Sequence, residues 1–356
     1  MRPQEFAPAQ LAQAEQINPR MLARALKPFY EPRPLRSWTE LAITLAPVIA
    51  VFGAMLFAVE AGYWIALLLA PLAGLLLLRL FIIQHDCGHG AFMRRRGTND
   101  WLGRALGVLT LTPYDCWRRS HALHHAATGN LDARGFGDVD TLTVREYYAG
   151  SRWQRLGYRL YRHPVVLMGL GPAYLFLLRH RLPIGLMREG REYWISAMAT
   201  NALIAAILGG LVWAFGIGAV AAVFFPVLLT AASMGVWLFY IQHQFEDAHW
   251  DRKGEWEFHQ AALAGSSYLH LPAPLRWFTG NIGIHHVHHL ASRIPFYRLP
   301  EALRAHPRLA ELNRFTLRQT VGPLMLALWD EQQRRMVTFR EAKRLRANGE
   351  GAGLMA

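Results

Sequence analysis

The chain has 356 residues, 53% of them hydrophobic, a mean hydropathy of +0.11 and a formal charge of +13. A soluble domain of this size is ordinarily more polar, so the composition favours a membrane protein. The positive charge suits anionic lipid or an acidic protein partner; nucleic acid is disfavoured, because no nucleic-acid-binding motif is present and the basic residues border apolar segments. Two cysteines, Cys87 and Cys116, make neither a metal-type pair nor an expected disulfide.

Residues 1–38 are polar and basic, and the stretch Gln10 to Leu26 reads as an amphipathic helix on the membrane surface, with Leu11, Ile17, Met21 and Leu22 inward. No secretory signal is expected, since the first long apolar run begins near residue 40 and lacks a cleavage pattern. Apolar runs at about 41–59 and about 62–83, and a second pair at about 194–215 and about 217–241, each approach the ~20 residues that cross ~30 Å of hydrocarbon. The turns between the members of each pair, at 60–62 and 216–218, carry no Lys or Arg, whereas the other flanks carry Arg33, Arg36, Arg94, Arg95, Arg96, Arg188 and Arg191. The positive-inside rule then puts both termini and the central loop in the cytoplasm. Two shorter apolar stretches, about 101–115 and about 164–178, contain Pro and Gly and read as interfacial or re-entrant. After residue 290 the chain looks soluble, with helical patches expected at Leu309 to Leu317 and Leu324 to Val337. The expected architecture is an all-α integral membrane protein with four transmembrane helices and a cytosolic helical cap: an N-terminal segment 1–38, a membrane domain 39–300 and a C-terminal helical tail 301–356.

Sixteen histidines are present, and their positions carry the chemistry. His85 and His89, four apart, share a helical face just past the second apolar run. His121, His124 and His125 form a second cluster at spacings of three and four, and His285, His288 and His289 a third. His243 stands alone at the exit of the fourth run, at the level of His85 if four spans alternate. Nine imidazoles exceed what one ion takes, so two metals are implied; imidazole suits iron, zinc and copper, and zinc needs only three or four ligands. Soluble di-iron bundles use paired Glu-x-x-His motifs, and only Glu246 with His249 has that spacing. Asp86 is a candidate to orient an imidazole by accepting its second N–H, as are Asp115 and Asp138. His286 points off the ligand face of its cluster, and His163, His180, His249, His259, His270 and His306 have no partner spacing.

The segments 85–92, 121–126, 137–144, 242–247, 277–289 and 293–299 resemble the membrane fatty acid desaturase family, in particular its bacterial Δ12/ω-6 acyl-lipid members. The resemblance covers roughly residues 38–300. It implies an oxidoreductase that uses O2 and two electrons per turnover to place a cis double bond in an acyl chain, at a cytosolic di-iron centre in the bacterial inner membrane. It implies as ligands His85, His89, His121, His124, His125, His243, His285, His288 and His289, with Asn281 the candidate for an asparagine that holds a metal-bound water. No fused cytochrome b5 motif is present, so electrons are expected from a separate ferredoxin or cytochrome b5-type donor docking near Arg94, Arg95, Arg96, Arg118 and Arg119. Di-iron hydroxylases, ketolases and acetylenases share such histidine sets. A metal transporter would place histidines at mid-membrane depth, and the interiors of the apolar runs hold none.

Overall fold

The computed structural model describes residues 18–135 and 137–347. Most of this chain is helical. The Asn18 side chain accepts the backbone N–H groups of Arg20 and Met21 and so caps α1, Pro19–Ala25. Of the amphipathic helix expected over Gln10 to Leu26, the part before Asn18 lies outside the described residues; in the remainder Met21 is exposed and Leu22 packs on the core.

Among the described residues, three helical elements are long and apolar enough to cross a membrane: Pro34–Glu60 (α2), Trp64–Gly88 (a 3-10 turn running into α3, Ala70–Gly88) and Arg191–His243. Pro34 starts α2 where no N–H partner is needed. Gly62, at φ +90°, allows the tight reversal between α2 and the next element. Inside the bundle α3 is the most enclosed element, and Gly74 lets it approach the Arg191–His243 element so closely that a Cβ there would lie 2.6 Å from Thr230. A buried ion pair between Glu40 and Arg79 joins α2 to α3, and the Arg79 guanidinium stacks on Trp277 at 4.1 Å.

The element Arg191–His243 is not one rod. Its Ser196 hydroxyl accepts the backbone N–H of Asp115, and its His243 ring lies 4.7 Å from that of His124. A straight helix would separate residues 196 and 243 by about 70 Å, yet both touch one short helix, Tyr114–Ala127. The chain therefore folds back, and Gly216, at φ +75° and ψ +152°, is the non-helical residue at which it does so. Phe57 at the end of α2 packs edge-on against Phe215 at this reversal. The two arms expected at about 194–215 and 217–241 are thus both present.

Neither of the two shorter apolar stretches forms a single helix long enough to cross. Residues 101–115 belong to α4 (Arg96–Leu109) and the start of α5 (Tyr114–Ala127), with a turn between them in which Leu111 takes φ +56°. Residues 164–178 form a π-turn, Val166–Leu170, and a short helix, Gly171–Leu177; together they rise only about 18 Å, less than the ~30 Å of a hydrocarbon core.

The tail departs from the expected helices. Leu309 to Leu317 is 3-10 turn and strand, and Leu324 to Val337 is largely a β-hairpin. In chain order the strands are β1 (Leu142–Thr143), β2 (Tyr268–His270), β3 (Arg314–Thr316), β4 (Leu326–Asp330) and β5 (Arg335–Thr338). β4 pairs antiparallel with β5 and parallel with β1, while β2 and β3 pair in parallel. All five residues of β4 are buried, so its apolar run reflects enclosure on both faces rather than a helical stripe. Helices return at Leu299–Ala305 and Phe339–Ala347.

Candidate metal centre

Helix α3 runs past its expected end to Gly88, so His85 lies in its last turn and His89 is its C-cap residue. His121, His124 and His125 lie on α5, His243 ends the element Arg191–His243, and His285, His288 and His289 lie on a six-residue buried helix, His285–Leu290. These side chains converge into two groups. One contains His85, His89, His121, His125 and His288; the other contains His124, His243, His285 and His289. Within each group the nitrogens offered lie within 4.8 Å of one another.

The distances do not describe an ordinary hydrogen-bond network. The His121 Nε2 lies 3.0 Å from that of His89 and 3.1 Å from that of His125, which in turn lies 3.2 Å from that of His288. In the second group the His285 Nε2 lies 3.0 Å from that of His243 and 3.1 Å from that of His289. One imidazole nitrogen either donates one proton or accepts through one lone pair, so it cannot satisfy two such neighbours. Two nitrogens about 2.1 Å from a common ion and at a right angle to each other are about 3.0 Å apart. The spacing thus fits two groups of ligands each converging on an ion. The His124 Nε2 is buried without a hydrogen-bond partner, as a ligand nitrogen facing an ion would be. Rings of the two groups touch: His125 and His289 stack at 4.1 Å and an interplanar angle of 12°.

Burial pushes the imidazoles of His121, His125, His285, His288 and His289 well below the usual histidine range, and neighbouring imidazoles push the same way. They are neutral at physiological pH, the form that binds metal. Among the described residues no carboxylate and no thiol belongs to either group. Carboxylates act one layer out. Asp86 lies 3.3 Å from the His85 Nδ1 and is itself held by the Phe296 N–H at 2.6 Å, and Asp138 bonds to the His124 Nδ1. The His243 Nδ1 faces the Gly265 carbonyl at 3.3 Å. Each contact leaves Nε2 for the metal and fixes the ring's tautomer.

Asp115, the third candidate for this work, touches no imidazole; it pairs with Arg104 and Arg118 because the start of α5 turns it toward α4. Asn281, at φ +54°, donates its amide to the Phe296 carbonyl at 3.2 Å, two links from His85 through Phe296 and Asp86. His286 lies outside both groups and bonds to the Leu309 carbonyl at 2.8 Å. Glu246 pairs with Arg335 and His249 with Asp251, so the lone Glu-x-x-His spacing is not part of the centre. His163 and His259 sit toward the surface, and His270 bonds to Tyr268. Of the expected docking arginines, Arg94 pairs with Glu31, Arg96 and Arg118 with Asp100, and Arg119 with Glu189.

Two features of the centre had no signal in the spacing. The Trp117 ring stacks on His121 at 4.6 Å and 17°, one helical turn before it on α5. Phe239 packs against both His124 and His243, sealing the apolar side of the second group. A small pocket beside that group is lined by Thr128, Asp138, Phe239, His243, Gln244 and Trp250.

Comparison with known sequences agrees with this geometry. Residues 62–321 match the sequence family described as fatty acid desaturase. A protein from Bacillus subtilis named fatty acid desaturase is 39% identical over 327 residues, 92% of each chain. An sn-1 acyl-lipid omega-3 desaturase (ferredoxin) from Synechocystis is 32% identical over 68% of each chain. An sn-1 oleoyl-lipid 12-desaturase from Picosynechococcus is 26% identical over 77% of each chain.

Proposed function

The chain belongs to the fatty acid desaturase family of oxidoreductases, and from that premise we propose that its nine converging histidines hold two iron ions and that it desaturates the acyl chains of membrane lipids. The convergence of nine imidazoles, with carboxylates only behind them, carries this reading. In it His85, His89, His121, His125 and His288 hold one iron, and His124, His243, His285 and His289 hold the other. A bound iron pair supplies the power to activate O2 and remove two hydrogens from adjacent methylenes. The protein's own part is to fix the ligands and exclude water. Asp86 and Asp138 orient imidazoles, while Phe239 and Trp117 keep the surroundings apolar. Asn281, whose amide donates to the Phe296 carbonyl, is the candidate to hold a metal-bound water.

In the same reading the two arms of Arg191–His243, with α2 and the Trp64–Gly88 element, make four membrane crossings. The basic flanks then put both termini and the centre on the cytoplasmic face of a bacterial inner membrane. Residues 39–300 are the membrane domain, 1–38 an N-terminal segment and 301–356 a C-terminal cap, of mixed helix and strand over its described residues 301–347. Two electrons come from a separate small carrier. The ferredoxin in the name of the Synechocystis relative makes an iron–sulfur protein the first to test.

The experiment is to express the chain in a host lacking desaturases, analyse lipid acyl chains by gas chromatography–mass spectrometry, and measure metals in the purified protein. The expected result is a new monoene or diene together with two iron ions per chain. Activity with one zinc and no iron would overturn the di-iron assignment. Intact metal binding with an oxygenated rather than unsaturated product would replace desaturation by hydroxylation.

A further inference from the structure

From Tyr147 to Arg188 the sequence contains seven arginines and no aspartate or glutamate. Within this stretch the helix Arg152–Tyr161 is inside out. Trp153, Leu156 and Leu160 form one stripe and are 67%, 46% and 56% exposed. The opposite face is polar and turned toward the protein, with Arg155 and Tyr158 half-buried and Arg155 and Arg159 bonding to Tyr148 and Tyr147. The Tyr158 hydroxyl bonds to the Ala327 carbonyl at 2.6 Å. One turn on, the buried Arg162 donates to the Gln244 side chain at 2.8 Å, to the Leu326 carbonyl at 2.8 Å and to the Tyr240 hydroxyl at 3.1 Å. A helix that gives its hydrogen bonds to the protein and its tryptophan and leucines to the outside is not arranged for water.

The apolar exposure continues. Val165, Leu170, Tyr174 and Leu178 are exposed along the short helical segment that follows, and Leu182 and Ile184 beyond it. This segment joins the first arm of Arg191–His243 where Arg181 and Asn201 exchange hydrogen bonds, beside the exposed apolar Met198 and Leu203 of that arm. A third piece of chain adjoins it. Leu317, Val321 and Met325 are exposed, and Pro323 between them accepts a hydrogen bond from the same Tyr240 hydroxyl that Arg162 reaches. At the rim, Arg152, Arg179 and Arg188 are exposed and form no ion pair among the described residues.

We propose that residues 152–187, together with 317–325, form a shelf lying in the plane of the membrane, with its apolar side chains among the acyl chains of one leaflet and Arg152, Arg179 and Arg188 at the phosphates of anionic phospholipids. The inference rests on the membrane-spanning reading above. Three observations commit it to lipid rather than protein: the shelf is continuous with the apolar surface of a spanning arm, its charge is of one sign, and no carboxylate interrupts it. Part of the region after residue 300 is thereby a membrane-contacting element rather than a wholly aqueous tail. Tyr158 and Arg162 bond to the Asp140 carbonyl, two residues from Asp138, and Arg162 also to Gln244 beside His243, so the shelf is tied directly to the chain that carries the four-histidine group.

The test uses the full chain in vesicles, with Cys116→Ser and an environment-sensitive fluorophore on one added cysteine. Leu156→Cys probes the shelf, Leu203→Cys the spanning arm and Lys343→Cys the aqueous side. The shelf predicts that the Leu156 label is quenched by shallow nitroxide lipids as strongly as the Leu203 label, and several-fold less by aqueous iodide than the Lys343 label. Iodide quenching at Leu156 equal to that at Lys343, with Leu203 still lipid-protected, would overturn the shelf alone. Iodide access at Leu203 as well would overturn the membrane reading beneath it. A Leu156 label shielded from both quenchers in a chain that sediments as a dimer would assign the face to a second copy. The headgroup part predicts that protection at Leu156 increases from phosphatidylcholine to mixed phosphatidylglycerol vesicles and that the triple variant Arg152→Gln, Arg179→Gln, Arg188→Gln loses that increase. Equal protection in both vesicles would overturn it.

Discussion

The two histidine groups are built differently. The five-histidine group takes four members from two local motifs, His85 with His89 and His121 with His125, and only His288 from far along the chain. The four-histidine group has one local pair, His285 with His289; His124 and the isolated His243 come from two other elements. Its geometry therefore depends on three separately anchored elements meeting, with Asp138 and the Gly265 carbonyl holding two of its rings. A group assembled from long-range pieces is the one whose occupancy should fail first when its supports are weakened.

The largest effect expected is from His243→Ala. Removing one of four ligands should empty that group, so metal content falls from two ions toward one per chain and desaturation becomes undetectable. Elemental analysis of the purified variant measures this directly, and retention of both ions would break the assignment of His243. Next come the orienting carboxylates. Asp138→Asn should weaken metal binding in the four-histidine group by about 10–100-fold while sparing the other, and Asp86→Asn should do the reverse. Chelator competition followed by metal counting distinguishes them; equal loss from both groups would show that the two are not independent. His286→Ala should keep both ions but lose the buried bond to the Leu309 carbonyl, at a cost of about 1–3 kcal/mol read from a lower thermal midpoint. The smallest effect is expected at the exposed His163. His163→Ala should change stability by no more than about 0.5 kcal/mol and leave the metal content at two.

Much of the site could be read from the chain because helical spacing puts His85 with His89, and His121 with His125, on common faces whatever surrounds them. The separation of His124 from its neighbour His125 into the other group could not be read that way. It follows from α5 lying between the end of α3 on one side and His243 on the other. Four long apolar segments were legible by length alone, and the reversal at Gly216 matches the turn expected there. The tail differs from the helices expected there for a physical reason. The run Leu326, Ala327, Leu328, Trp329 suits a helix or an enclosed strand equally well; its hairpin partner Arg335–Thr338 on one side and Leu142 and Thr143, distant in sequence, on the other make it a strand. Asp115 and Asp138 look alike in sequence. The arginines of α4 and α5 capture one, and His124 captures the other.

The sharing of α5 between both groups has a consequence for biosynthesis. His125 and His288 face each other across 163 residues of chain, and every group needs at least one residue from the helix His285–Leu290. At roughly 5–20 residues per second, the first five imidazoles leave the ribosome about 10–30 s before either group can close. In the membrane-spanning reading proposed above, the last two long apolar segments enter the bilayer during that interval and fold back at Gly216. Metal loading is therefore a late, post-insertion event. Until then the half-made centre presents bare, neutral imidazoles, open to whichever divalent ion the cell leaves free.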